Sequence, residues 1–174
     1  ETTYRGHLSG VFSDAKQAVS DAQIIYICLP GYAIHDMLLQ IKDYLMPMAA
    51  VGSVVSSTGF FFEAMQILPS TIPLFGFQRV PFISRVIEYG HRARLMGYKD
   101  CLNMAVEHTD HPELLRDILA DMLQTPIQLL NSYYEVSLSN SKPLLHPSRL
   151  YSLWKDWKEG IVYDDIPLFY EEWT

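Results

Sequence analysis

Apolar positions along this chain fall in short blocks whose spacing alternates between two periods. Residues 23–29 (QIIYICL) form an almost unbroken apolar run rich in β-branched side chains. That is the pattern of a strand buried on both faces of a parallel sheet. Pro30-Gly31 ends it, and Ile34, Met37, Leu38, Ile41 and Leu45 then recur at helical spacing until Pro47. A second run, Val51 to Val55, stops at Ser56-Ser57-Thr58-Gly59, and a third, Ile72 to Phe77, follows Pro69. Strand, helix, strand, helix, strand with short connectors predicts a doubly wound α/β sheet. Residues 15–22 (AKQAVSDA) predict a short helix feeding the first strand.

Beyond Phe77 the period changes. Arg85–Tyr89, Ala93–Tyr98 and Cys101–Glu107 are short runs separated by glycine-bearing turns, and they predict a small antiparallel meander. Asp110-His111-Pro112-Glu113 places an N-capping aspartate three residues before a glutamate. The helix it opens should carry Leu114, Leu115, Ile118, Leu119, Met122 and Leu123 on one face and end at Thr125-Pro126. One more short strand is expected at Ile127–Leu130. From Asn131 the pattern is helical to about Gly160, followed by an acidic, aromatic tail over 163–173. There is no internal repeat and no low-complexity tract.

Composition narrows the function classes. The chain has 174 residues, 49% hydrophobic and 19% charged, which is the make-up of one globular domain or one domain and part of another. A net charge of −7 argues against nucleic acid or an anionic membrane as partner. No apolar run reaches the roughly 20 residues that span a bilayer, and the start lacks a basic-then-apolar signal segment. Cys28 and Cys101 stand alone, so neither a disulfide framework nor a paired-thiol metal site is indicated. These features predict a soluble, cytoplasmic protein. The first residues, Glu1-Thr2-Thr3, lack an initiator methionine and fit a piece of a longer chain.

An open α/β sheet binds ligands in the crevice at the carboxyl ends of its strands. Leu29-Pro30-Gly31-Tyr32 turns there with a residue lacking Cβ, so a flat cofactor or its ribose has room to approach; the same turn also serves simply to join strand to helix. Ser57-Thr58-Gly59 offers amides and hydroxyls to a ligand at a helix start, or an ordinary N-cap. No G-x-G-x-x-G occurs anywhere in the chain, so a dinucleotide-binding sheet would need its first βαβ unit from upstream. Residues 75–85 (FGFQRVPFISR) cluster polar and aromatic groups past the third strand. Arg79 and Arg85 in it are able to form bidentate bonds to a carboxylate, or surface ion pairs. His146 lies in 140–147 (NSKPLLHP), with Pro147 suited to a first helical position. A histidine at such a start would be held neutral by the helix dipole and poised for proton exchange, or would pack or cap. The spacing of His108 and His111 matches no ligand pair, and no metal site is expected. The remaining histidines, His7, His35 and His91, read as structural or exposed, and Leu153, Trp154 and Trp157 as core or interface packing.

Four segments together resemble the octopine/nopaline (opine) dehydrogenases, a family within the 6-phosphogluconate-dehydrogenase-like superfamily. They are 22–35 (AQIIYICLPGYAIH), 54–60 (VVSSTGF), 78–85 (QRVPFISR) and 137–147 (SLSNSKPLLHP), the last similar to the family's N-x-x-P-x-x-H-P junction motif. The resemblance implies a Rossmann-type sheet, here without its first glycine-rich unit, followed by the start of an all-α domain, with the active site between them. It places 1–136 in the carboxyl-terminal part of an NAD(P)-binding domain. Residues 137–174 would begin a helical substrate or dimerisation domain. It implies reduction, by NADH or NADPH, of the imine formed from an amino acid or other amine and a 2-oxo acid. His146 would be the acid/base. Leu29, Pro30, Gly31, Ser57, Thr58 and Gly59 would lie near the cofactor, and Gln78, Arg79, Phe82, Ser84, Arg85 and Asn140 near the substrates. Gln78-Arg79 stands where amino-acid-binding members have an acidic and a hydroxyl residue, which favours an anion over a guanidino group. Ser57-Thr58-Gly59 replaces the usual Pro-Gly, and none of Asp156, Asp164 and Asp165 matches the family's acidic partner of the histidine. Small-molecule substrates and a homodimer are the implied partners. Two other readings remain: a non-catalytic Rossmann-like nucleotide or metabolite sensor, and a ketopantoate-type reductase, for which Lys142 is the nearest candidate.

Overall fold

The computed structural model describes residues 3–56 and 59–161. By its internal contacts the chain divides into two units, residues 1–139 and 140–174.

The first unit begins with a short helix, α1 (Ala15–Val19), capped by the Asp14 carboxylate on the Lys16 N–H. Three strand–helix steps follow. Strand β1 (Ile24–Ile27) passes through a 3₁₀ turn (Gly31–Ala33) into α2 (Ile34–Ile41), which ends in a second 3₁₀ turn (Lys42–Tyr44). Strand β2 (Ala50–Val54) leads to α3 (Phe60–Ile67), and β3 (Leu74–Phe77) closes the run. β1, β2 and β3 pair in parallel, Ile25 opposite Val51 and Gly52 opposite Phe75. Helix α2 forms because Ile34, Leu38 and Ile41 repeat at one face, and all three are buried against the sheet.

The strands obey a period of two. Ile25, Ile27, Val51, Leu74 and Ala105 point to a core closed by α2 and α3, with Phe60 and Phe61 fully buried in it. Ala50, Phe75, Phe77, Leu102 and Met104 point to the opposite core, closed by α4 (Pro112–Leu123). Each such aromatic contributes about 1.5–3 kcal/mol by leaving water. Gly52 is required by this packing, since a Cβ there would collide with the Phe75 ring.

The expected three-stranded meander is not what forms. β4 (Phe82–Glu88) and β5 (Arg92–Tyr98) make a separate two-stranded antiparallel ribbon. β6 (Leu102–Glu107) leaves them and returns to the main sheet, antiparallel to β3, to give the order β1-β2-β3-β6-β7. Burial decides this: Leu102, Met104 and Ala105 are apolar and fill the cores, while nearly every ribbon position is exposed.

Other expectations shift for local reasons. β1 is only half buried, because it pairs on one side alone, with β2, at the sheet's edge. Asp110 does not cap α4; His111 holds that position without a side-chain bond, and Thr109 Oγ1 accepts the His111 N–H instead. Leu115 and Leu119 form the buried face of α4, whereas Leu114, Ile118 and Met122 are exposed. β7 (Ile127–Leu129) pairs in parallel with β6. The helical stretch after Asn131 is broken: α5 (Tyr133–Leu138) stops, and α6 (Lys142–Trp154) begins in the second unit. Residue 136, the last of the expected first domain, therefore lies inside α5, three residues short of the division at 139/140. Trp154 and Trp157 are exposed rather than packed in a core. The acidic tail over 163–173 lies outside the described residues. No helix among the described residues is long and apolar enough to cross a membrane.

Candidate functional site

The sheet's topology gathers most of the singled-out residues of the first unit along one edge. β1, β2 and β3 all point to it, and β6 and β7 start from it, because Phe77 pairs with Met104 and Leu102 with Ile127. The turns after the three parallel strands therefore face the same solvent crevice, the position where open α/β sheets hold ligands.

At the end of β1, Leu29 packs against the α2–α3 core, so it supports the turn rather than offering its side chain to a ligand. Pro30 is exposed and its carbonyl accepts the Ala33 N–H at 3.0 Å, closing the 3₁₀ turn that Gly31 opens. At the end of β2, Ser56 is buried and donates to the Phe77 carbonyl at 3.1 Å, which ties the ends of β2 and β3 together. Ser57 and Thr58 lie outside the described residues. Gly59 caps α3 in the left-handed region, φ 86°, and a Cβ built there would meet nothing within 4 Å. Its backbone is thus both glycine-dependent and open to approach.

His35 and Glu63 lie in the first turns of α2 and α3. His35 Nδ1 donates to Glu63 Oε2 at 2.8 Å, joining the two helices that leave the crevice. His35 reads from the sequence as structural or exposed; it is exposed and also paired, which a period-based reading has no means to find.

At the end of β3 the side chains separate in role. Gln78 is held at both ends of its amide: Nε2 donates to Ser139 Oγ at 2.6 Å, and Oε1 accepts from Asn103 Nδ2 at 3.1 Å. Its backbone N–H also donates to the Asn103 carbonyl at 2.9 Å. Gln78 thereby joins β3, β6 and the last turn of α5. Asn103 and Ser139 carry no sequence motif, and only the fold brings them to Gln78. Arg79 is exposed and forms no ion pair among the described residues.

The neighbouring segment leaves the sheet at the same edge as the β4–β5 ribbon. Phe82 stacks edge-on to Tyr98 with ring centres 6.2 Å apart. Ser84 is exposed, and its carbonyl accepts from Arg85 Nη1 at 3.0 Å.

In the second unit Asn140 is buried. His146 does not stand at a helix start. α6 begins at Lys142, Pro143 takes the early-turn position, and Pro147 lies inside the helix. His146 is therefore in the second turn, beyond the first turn to which the helix dipole is confined. It is half exposed and has a partner.

Among the described residues no cluster of three or more His, Cys, Asp or Glu side chains is placed to hold a metal, and both cysteines are free. A cavity of about 380 Å³ opens at the opposite edge, between Ile24, Met48 and Ile118. None of its lining residues belongs to the turns after β1, β2 and β3.

No family model matches the chain. It is 25% identical over 175 residues to the opine dehydrogenase of Haliotis discus hannai, covering 97% of this chain and 43% of that protein. It is 28% identical over 167 residues to the tauropine dehydrogenase of Arabella iricolor, covering 92% of this chain and 42% of the relative. An octopine dehydrogenase structure described with NADH and L-arginine superposes with a TM-score of 0.79 at 22% identity, covering 94% of this chain and 42% of that one. The chain thus spans less than half the length of the relatives it matches.

Proposed function

We infer that this chain, a member of the opine dehydrogenase family, carries the nicotinamide-side turns, the substrate loop and the acid/base histidine of an NAD(H)-dependent oxidoreductase. The reaction is reduction of the imine formed between a 2-oxo acid and the amine of an amino acid. The observation that supports this best is the sequence likeness to opine and tauropine dehydrogenases along 97% and 92% of the chain.

A reduced nicotinamide, when bound, supplies the hydride. The residues present fit the nicotinamide end of such a cofactor. Pro30 and Gly31 close a tight turn after β1, and the bare backbone of Gly59 stands at φ 86° with open space around it. The pyrophosphate cradle is not in this chain, which has no G-x-G-x-x-G. Among the described residues one edge of β1 is unpaired, the position at which a parallel sheet of this type accepts a further strand. Use of NADPH as well as NADH, a homodimer and a cytoplasmic location complete the reading.

His146 hydrogen-bonds and polarises the carbonyl or imine through a ring nitrogen and exchanges the proton that the reaction consumes. Leu29 and Gln78 act as braces, each through the packing or bonds described above. Arg79 meets no carboxylate among the described residues and is available to an anionic group on the amine substrate. Phe82, Ser84, Arg85 and Asn140 complete the substrate side, and Ser57 and Thr58 the cofactor side.

The test is NADH and NADPH oxidation by the full-length protein across a matrix of 2-oxo acids and amines. Turnover should require both components and fall by about 10²–10⁴ in His146→Ala, the usual contribution of a general acid/base, with NADH affinity unchanged. Turnover with an oxo acid alone moves the protein to the hydroxyacid reductases. Tight cofactor binding without turnover overturns the reading in favour of a sensor.

A further inference from the structure

The β4–β5 ribbon is unlike the rest of the molecule in charge. In a chain of net charge −7, residues 79–99 hold Arg79, Arg85, Arg92, Arg94 and Lys99 against the single acid Glu88. The ribbon leaves the sheet after β3 and rejoins it at β6, so it projects from the carboxyl edge of the parallel strands, beside the turns described above.

Its register places Arg85 directly opposite Arg94. Directly opposed residues of an antiparallel pair share one face with Cβ atoms about 4.5–5.5 Å apart, and like charges in that position are destabilising. Arg92, by contrast, stands opposite Glu88. Among the described residues neither Arg85 nor Arg94 meets a carboxylate; Arg85 Nη1 bonds only the neighbouring Ser84 carbonyl. The register also slips on both sides of the pair, between Ile83 and Ser84 and between Val86 and Glu88. Bulges of this kind re-aim side chains and occur beside active sites. Two arginines at directly opposed positions, with no carboxylate on either among the described residues, are able to turn both guanidinium forks onto one oxyanion.

We propose that Arg85 and Arg94 together form an oxyanion clamp on the ribbon, with Arg94 a binding residue that the sequence pattern alone does not reveal. The ligand chemistry is a carboxylate of the substrate pair or a phosphate of the cofactor. The first source rests on the imine-reducing reading above; the second requires only a phosphate-bearing cofactor. A positive arm in an acidic molecule also concentrates anions at this edge.

The experiment follows the arginine Nε–Hε resonances of the full-length protein as inorganic phosphate, pyruvate or NADH is added, together with steady-state kinetics of Arg94→Met, Arg94→Lys and Arg92→Met. The Arg85 and Arg94 signals should move together while Arg92 stays still. Arg94→Met should raise one KM by about tenfold at unchanged kcat, the loss of one charge-assisted bond, and Arg94→Lys should recover part of it. A rise in the oxo-acid KM identifies the substrate carboxylate; a rise in the NADH KM identifies the cofactor phosphate. Arg92→Met should leave both unchanged. Signals that do not move, or signals that respond to phosphate with neither KM altered (an adventitious ion only), overturn the proposal. Should the protein turn over no oxo acid with any amine, the imine-reducing reading fails, and the resonance titrations with pyruvate and NADH still decide the clamp.

Discussion

At the scale of single residues, neighbouring side chains at the crevice have different work. Gln78 and Arg79 are adjacent in sequence, yet Gln78 is bonded at both ends of its amide while Arg79 projects to solvent. Tyr26 shows how burial changes chemistry at one atom. Its ring packs edge-on to Phe75 at 5.2 Å, and its hydroxyl is buried without a hydrogen-bond partner among the described residues. Burial, and then the nearby Cys28, push its pKa from 10.0 up to about 12. The unfolded chain therefore releases this proton first. The associated stability is complete below pH 10 and is lost as the pH rises through about 12. Tyrosinate absorbance of the folded protein should show a late-titrating group that Tyr26→Phe removes, and the same substitution should flatten the alkaline loss of stability. Because the hydroxyl has no partner, Tyr26→Phe should cost little at neutral pH. An unchanged alkaline profile would show that Tyr26 is not the group responsible.

At the scale of elements, α4 shows which half of an amphipathic pattern is structural. Its apolar positions cover more than one face, but Leu115 and Leu119 alone are buried in the core under β3, β6 and β7, with Ala120 and Leu123 packed against its margin. Leu119 is fully buried and Ile118 is 42% exposed, which separates the cost of the two truncations. Leu119→Ala should lower unfolding stability by about 2–5 kcal/mol, the range for a buried leucine, and Ile118→Ala by well under 1 kcal/mol. Denaturant unfolding of the two variants measures the difference, and equal losses would mean that the exposed stripe is covered in the protein as it works. Helix α5 owes its start to Ser132, whose Oγ accepts from the Glu135 N–H, while Glu135 Oε2 accepts from the Asn131 N–H. That S-x-x-E pattern was legible in the sequence and marks where α5 starts, whereas the break between α5 and α6 at 139–141 is what the longer helical reading passed over.

At the scale of the molecule, the two edges of the sheet are chemically distinct. The carboxyl edge holds Pro30, Gly59, Gln78 and the arginine ribbon, whereas the cavity of about 380 Å³ belongs to the other edge. Met48 lines that cavity, is 67% exposed and has φ 66°, a left-handed conformation costing about 1–2 kcal/mol for residues other than glycine and asparagine. Met48→Asn should therefore raise stability, by up to about 1 kcal/mol, and leave kcat and both KM values as they were. A loss of turnover in this variant would bring the second edge into the reaction.

The sequence by itself determined the α/β alternation, the parallel strands and the segments that mark the family, because each rests on local information. A period of two or 3.6 residues, a proline or a glycine acts within a few positions of itself. Tertiary structure alone decided the rest. β6 left the expected meander for the main sheet because its apolar residues fill cores that only the assembled sheet creates. Asn103 and Ser139 reached Gln78 from 25 and 61 residues away, and His35 reached Glu63 across 28. Arg94 came to face Arg85 through a bulged register that no period encodes. Such pairings join groups far apart in the chain, and they exist only once the strands between them have been aligned.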